Sequence, residues 1–275
     1  MGNNKSRWGN VYLVLVFAVL YAPILYLMYY SFNSADNMHQ FEGFTWKWYG
    51  EVFQDTRLII ILINTLVIAL LSSAIATMIG IIGALAIDRI RRRRLKDAVL
   101  SLNNVLIVSP DVIIGASFLI LFTIVGIKLG FASVLISHIA FSIPITVLMI
   151  LPRLQEMSPT LIDAARDLGA SRRDVLSKVI LPFIKPGIFA GFFMAFTYSL
   201  DDFAVTFFVT GNGYSTLSVE IYSRARQGVS LSINALSTLI FLFTTALVVG
   251  YYMITRRSQG RSRQHEPAAE MGVPR

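Results

Sequence analysis

The sequence predicts an all-α membrane protein with six transmembrane helices, on three observations. Of its 275 residues, 55% are hydrophobic and only 15% charged, with a mean hydropathy of +0.64, whereas a soluble domain carries about 25% charged residues. The apolar residues fall into runs close to the roughly 20 that a helix needs to cross a bilayer. The 24 Lys and Arg are gathered into some of the intervening segments and nearly absent from others. There is no cysteine, so disulfides, thiolate metal sites and cysteine nucleophiles are excluded.

The first span runs from about Val11 to Ser31. Lys5 and Arg7 before it resemble the start of a signal peptide, but the apolar run exceeds the roughly 7–15 residues of a signal core and no A-x-A site follows. It is therefore expected to stay as a span. The second span lies within Leu58 to Ile87, long enough to tilt or protrude. The third, from about Ala98 to Ile127, is interrupted by Ser109-Pro110-Asp111, and the fourth, from about Phe131 to Leu151, carries Pro144 as an expected kink. The fifth covers about Gly187 to Val209 and the sixth about Ile233 to Thr255. The chain thus divides into an N-terminal tail over 1–10, a transmembrane domain over 11–256 and a polar, disordered tail over 257–275.

The segments before the first span and after the sixth, the 88–97 loop and the 152–186 loop hold 19 of the 24 Lys and Arg. Cytoplasmic loops carry the Lys/Arg excess, so both termini and the 152–186 loop are expected inside the cell. The same sorting accounts for "RIRRRRLKD" at 89–97. That run is too short to dock a nucleic-acid duplex, and it lies between two spans where positive-inside charge belongs.

The segment Leu161 to Pro182, "LIDAARDLGASRRDVLSKVILP", carries seven charges in an otherwise oily chain. Ser158-Pro159 suits an N-cap and first helical position, and Thr160 with Asp163 is a competing start. Leu161, Ile162, Ala165 and Leu168 recur at helical spacing and form an apolar stripe, with Asp163, Arg166 and Asp167 off it. Gly169 ends this helix as glycine does just past a C-cap. Ser171 and Asp174 start a second helix, which Leu181-Pro182 is expected to stop before the next span. A short helix of mixed charge with one greasy stripe suits a groove on a partner protein better than it suits a lipid surface.

Asp163 through Pro182 reads D-A-A-x3-G-x9-V-I-L-P. It resembles the "EAA" loop of ABC-importer permeases: Glu-Ala-Ala, three residues, Gly, nine residues, Ile-x-Leu-Pro. Asp163 stands for the usual Glu and Val179 for the usual Ile. The stretches "FNS…GFTWKWYGEVF", "SPDVIIGASFLILF", "LGFASVLISHIAFSIPI" and "SLDDFAVTFFVTG" extend the likeness to the spermidine/putrescine permeases of the PotC type. The resemblance implies a type I permease fold in a bacterial cell membrane. It also implies a homologous second permease subunit, an ATPase homodimer beneath the pair and an extracytoplasmic polyamine-binding protein. Asp163, Ala164, Ala165, Gly169, Leu181 and Pro182 would couple to the ATPase, the apolar stripe seating in it. The chain has no G-x4-G-K-[ST] phosphate loop, so ATP and its magnesium are expected on the separate ATPase. No cofactor, metal site or catalytic residue is expected in this chain.

Carboxylates inside a membrane cost a few kcal/mol each and are functional candidates by default. On a regular helix from Gly187, the residues Gly187, Gly191, Ala195 and Ser199 form a small-residue packing face. Tyr198, Asp202 and Thr206 follow that face, while Asp201 points about 100° away. Asp111, Tyr198, Asp201, Asp202 and Thr206 are the expected substrate path, with Phe203 and Phe207 as further aromatic faces. Other roles stay open: an N-cap for Asp111, a salt bridge or surface position for Asp201. The stripe Ser72, Ala76, Gly80 and Ala84 is expected to pack helices. His138, with no acid near it in sequence, is expected to be a packing hydrogen bonder rather than a proton relay. Glu220, Arg224 and Arg226 either meet a binding protein or are solvated.

Adjacent Asp201 and Asp202 on a helix cannot share a proton, which argues against an intramembrane protease. The two halves show no repeat of the kind secondary transporters carry. The remaining alternative is an ABC permease for another small cation, such as ferric ion or thiamine.

Overall fold

In a computed structural model of the protein, residues 3–227 and 231–262 are described, with side chains over 9–227 and 231–246. Among these residues the regular structure is helical: α1 Asn3–Tyr30, α2 Lys47–Gln54, α3 Thr56–Asp88, α4 Arg93–Val108, α5 Asp111–Val125, α6 Phe131–Gln155, α7 Pro159–Asp167, α8 Arg172–Asp174, a π turn Val175–Ile180, α9 Leu181–Asp201, α10 Ala204–Val209, α11 Leu217–Gln227 and α12 Leu231–Ser262. The chain forms two compact units. One comprises the segments up to Thr56 and from Arg224, the other Arg57–Ser223.

Four helices are long and apolar enough to cross a membrane, or five if α4 and α5 count as one broken span. The described part of α12 adds the shorter apolar stretch Leu231–Ala246. The ends differ from the expected tails, because α1 is helical from Asn3 and α12 runs on to Ser262. Residues 263–275 of the expected disordered tail lie outside the described residues. At 33 residues α3 is about 50 Å long, more than a bilayer core is thick.

In the first unit, α1 meets α12 and α12 meets α2. The buried Asn33 side chain ties the 31–46 hairpin by bonding the Asn37 and Gln40 carbonyls and accepting from Glu42 N. Phe32, Phe44, Trp46 and Tyr49 stack around it, with ring centroids 5.0 to 5.4 Å apart.

The second unit is organised by α6, which lies against the small-residue faces of both α3 and α9. Ser72, Ala76, Gly80 and Ala84 are buried on α3, and Gly187, Gly191, Ala195 and Ser199 on α9. A Cβ on Gly80 would lie 2.0 Å from Thr146 Oγ1, and one on Gly191 would lie 3.3 Å from Thr146 Cα. Small residues let the helices approach this closely, and in lipid such packing replaces the hydrophobic effect as the force between helices. Two apolar clusters flank the polar middle of α6. One gathers Ala84, Ile150, Leu154, Val175 and Ile184, the other Ile68, Phe122, Val134, Phe141 and Val205. α6 continues through Pro144, whose carbonyl accepts from Asn103 Nδ2.

The third span is interrupted at Ser109-Pro110-Asp111 as expected, and α4 and α5 meet there at 101°. Pro110 has no N–H to continue α4 and drives Ser109 to an extended ψ of 140°. Leu181-Pro182 does not end a helix, since Arg172 to Asp201 is one continuous 30-residue helix. The π turn directly before Leu181 spreads the carbonyls that Pro182 would otherwise crowd.

Candidate functional site

The loop 152–186 folds as its local signals dictate. Pro159 takes the first turn of α7 behind Ser158, although the Ser158 hydroxyl pairs with Thr160 Oγ1 at 2.7 Å rather than with a backbone N–H. Asp163 faces Arg166 at 3.7 Å, both exposed. Gly169 adopts φ +84°. Its N–H donates to the Arg166 carbonyl and the Ala170 N–H to the Ala165 carbonyl, at 2.8 and 3.0 Å. This is the Schellman closure, which needs a left-handed residue at that position. Ser171 Oγ then accepts from Asp174 N and donates to its carboxylate, opening the next helix. The Lys178 ammonium 2.7 Å away, with help from Ser171, holds the exposed Asp174 carboxyl down at about 2.

The apolar stripe of α7 is divided. Ile162 and Ala165 pack inward on the cluster of Leu154, Val175 and Ile180. Leu161 is 46% exposed and Leu168 89% exposed, with Ala164 exposed beside them. Leu161, Ala164 and Leu168 therefore form the uncovered apolar strip of α7. Leu181 and Pro182 lie on the inner helix, Leu181 packed on the same cluster.

Deep between α5, α6 and α9 the structure assembles a polar array. Asp111 is the first residue of α5, behind Pro110 at the cap position, so it is not the N-cap. Its carboxylate accepts from Tyr198 Oη at 2.9 Å. Tyr198 meets Phe141 edge-on with centroids 5.0 Å apart, and Phe141 meets the His138 ring at 4.9 Å. His138 is fully buried. Its Nδ1 lies 2.7 Å from Ser199 Oγ and its Nε2 2.8 Å from Thr206 Oγ1. Asp202 Oδ2 is 3.5 Å from His138 Nε2, and the Asp202 side chain is 7% exposed.

The fifth span is not the regular helix expected over Gly187 to Val209. α9 stops at Asp201, Asp202 is extended at ψ 123°, and α10 starts afresh at Ala204. The Asp202 carboxylate accepts from Val205 N at 3.3 Å, Thr206 N at 2.8 Å and Thr206 Oγ1 at 2.7 Å. It thereby satisfies the donors that a new helix start leaves open. Asp202 faces the interior because it caps, not because a helical wheel continues through it. Asp201 is exposed. Phe203 and Phe207 cluster with Tyr222, ring centroids 4.5 and 5.9 Å apart.

His138 is the packing hydrogen bonder expected of it, bonding Ser199 and Thr206 on α9 and α10. Sequence reasoning missed Phe141 and the contact of His138 with Asp202, because that acid lies 64 residues further along the chain. The one available signal was polar spacing on α6, where Ser133, Ser137, His138 and Ser142 are all buried. It also left Glu220 open to solvation. Glu220 is buried beside Arg57 Nη2 at 3.1 Å, and Arg224 bonds Asp55 at 3.0 Å.

Comparisons with known proteins place this bundle of apolar helices in a family of membrane transport components. The model of the family described as the binding-protein-dependent transport system inner membrane component matches residues 76–263, and the chain belongs to that family. It is 38% identical over 249 residues to the spermidine/putrescine transport system permease protein PotC of Haemophilus influenzae, covering 90% of this chain and 96% of that one. It is 35% identical over 272 residues to the putrescine transport system permease protein PotI of Escherichia coli, covering 96% of each. Among solved structures it superposes, at a TM-score of 0.67, on a bacterial ABC transporter involved in the import of the acidic polysaccharide alginate. That match covers 95% of this chain and 97% of the other at 18% identity, and shows the shared fold.

Proposed function

We propose that the chain is the transmembrane permease subunit of an ATP-driven spermidine/putrescine importer. One observation carries this: two relatives, named for spermidine/putrescine and for putrescine, match it at 38% and 35% identity along nearly their whole lengths. The chain would form half of the translocation path with a homologous second permease. An ATPase homodimer would hydrolyse ATP on a separate chain, and an external binding protein would deliver the polyamine. With six spans and the Lys/Arg excess inside, both termini would be cytoplasmic.

Asp163, Ala164, Ala165, Gly169, Leu181 and Pro182 would form the handle to the ATPase. Leu161, Ala164 and Leu168 would make the contact, and Ile162 and Ala165 would pass the motion to the spans. Asp111, Tyr198, Asp201, Asp202 and Thr206 would line the path. Asp111 and Asp202, linked through Tyr198, Phe141 and His138, would complement a cation of several ammonium groups on an apolar stem.

The test is uptake of labelled spermidine in cells lacking their own system and supplied with the ATPase, partner permease and binding protein. Uptake should require this chain and fall to background with Gly169→Val. An assembled complex that hydrolyses ATP and moves thiamine or ferric ion but not spermidine would keep the family and reject the substrate.

A further inference from the structure

His138 stands in an ammonium group's place. It lies 3.5 Å from the Asp202 carboxylate and 4.9 Å from the centroid of the Phe141 ring. A carboxylate on one side and an aromatic face on the other is the environment a desolvated cation seeks. Histidine is the side chain that changes charge near neutral pH.

The hydrogen bonds around the ring accept either charge state. The Thr206 hydroxyl donates to Asp202 Oδ2, so its oxygen accepts from Nε2–H of His138, and that proton stays on Nε2 throughout. Nδ1 faces Ser199 Oγ, which lies 2.9 Å from Ser72 Oγ, which in turn lies 3.3 Å from the Ala69 carbonyl. With Nδ1 protonated, Nδ1–H donates to Ser199, Ser199 donates to Ser72, and Ser72 donates to the Ala69 carbonyl. With Nδ1 bare, Ser72 donates to Ser199 and Ser199 donates to Nδ1. Only hydroxyl rotors turn, and the long Ser72–Ala69 bond is the sole one lost. The titratable groups on the surrounding elements are Asp202 itself, Tyr198 on α9 and Asp111 at the head of α5, while α3 meets the network through Ser72.

We infer that His138 is an internal counter-ion that competes with a cationic substrate for Asp202. As imidazolium it neutralises the carboxylate and closes that end of the path to an ammonium group. When Nδ1 gives up its proton, the carboxylate charge is left for the substrate. The inference rests on the polyamine reading and adds a positioning residue to it.

The experiment is labelled spermidine uptake by proteoliposomes holding the complete complex, with binding protein added, from pH 5.5 to 8.5. Wild type is compared with His138→Gln, which keeps a neutral donor and acceptor, and with Asp202→Asn. The ratio of wild-type to His138→Gln uptake cancels the pH dependence of the other subunits. It should rise with pH by about fivefold or more, the scale of a coupling between two competing ligands. In Asp202→Asn the remaining uptake should lose that step. A flat ratio would overturn the inference, as would a step that survives in Asp202→Asn. Loss of His138→Gln uptake at every pH, in complexes that assemble and hydrolyse ATP, would make His138 purely structural. Wild-type complexes that carry no polyamine would reject the substrate reading, and the inference with it.

Discussion

The turn around Gly169 and the array around Asp202 are both polar structures in an apolar chain, yet they are built in opposite ways. Every hydrogen bond that shapes the turn spans five residues or fewer: Ser158 with Thr160, Ala165 with Ala170, Ser171 with Asp174. The array joins Asp111 to Tyr198 across 87 residues and His138 to Thr206 across 68. A structure whose hydrogen bonds are local keeps its own shape when it moves, and α7 meets the spans through the apolar packing of Ile162 and Ala165. A structure made of long-range bonds locks α5, α6, α9 and α10 together, and any change in it is felt by all four. The turn suits a handle and the array suits a site whose geometry must hold.

The comparison is broken most severely at Asp202. Asp202→Ala strands the N–H groups of Val205 and Thr206 and leaves His138 beside an empty position. Leaving buried donors of this kind unsatisfied costs about 1–3 kcal/mol each. The purified complex should melt several degrees lower and uptake should be lost. Asp202→Asn keeps a capping side chain, so melting should stay near wild type while uptake falls. Wild-type melting together with wild-type uptake in Asp202→Asn would make Asp202 a cap and nothing more.

Gly169→Val comes next. No atom lies within 4 Å of where its Cβ would be, so the cost is purely the left-handed φ of +84°, about 1–2 kcal/mol for a residue with a Cβ. Asn visits that region more readily. Gly169→Asn should therefore retain most uptake, whereas Gly169→Val should lose it, with ATP hydrolysis continuing uncoupled and the melting temperature of the spans unchanged. Loss of melting temperature in Gly169→Val would mean that the turn is part of the packed unit after all.

The same division explains what the sequence made legible. Ser158-Pro159, Gly169 and Ser171–Asp174 could be read because capping is a local transaction between residue types at fixed spacing. The small-residue faces of α3 and α9 were readable by periodicity alone. The break at Asp202 was not, because Ser-Leu-Asp-Asp-Phe contains neither glycine nor proline. What breaks the helix there is a carboxylate that finds two N–H groups, a hydroxyl and a distant imidazole together. The reading of Leu181-Pro182 as a stop failed for the converse reason, since a π turn has no sequence signature comparable to the proline it accommodates. Half of the α7 stripe was assigned to a partner although it packs at home, because periodicity tells which residues are apolar and not what covers them.

Within the array, Tyr198→Phe is the milder probe. It removes one hydrogen bond to the Asp111 carboxylate and keeps the ring against Phe141. A bond to a charged group contributes about 1.5–3 kcal/mol, and part of this returns through water at a half-exposed site. The KM for polyamine should rise about fivefold to tenfold with little change in the maximal rate. A change in maximal rate alone would place Tyr198 in gating rather than in binding.

The smallest effect belongs to Ser171→Ala, at the far edge of the turn. It removes the cap on Asp174 N and one partner of the Asp174 carboxylate, but Lys178 remains 2.7 Å away. The Asp174 carboxyl is held at about 2, below its ordinary value, first by Lys178 and then by Ser171. A lowered carboxyl stabilises the fold above its unfolded value near pH 4, and the contribution fades only as pH falls toward 2. The Asp174–Lys178 pair therefore keeps its charges between pH 5 and 8. Ser171→Ala should leave uptake within about twofold of wild type, with an unchanged pH profile across that range. This matters for the array: a pH step in uptake that disappears with His138→Gln and persists in Ser171→Ala belongs to the buried network. A step that Ser171→Ala also removes would tie the handle and the site together in a way their separate construction does not provide.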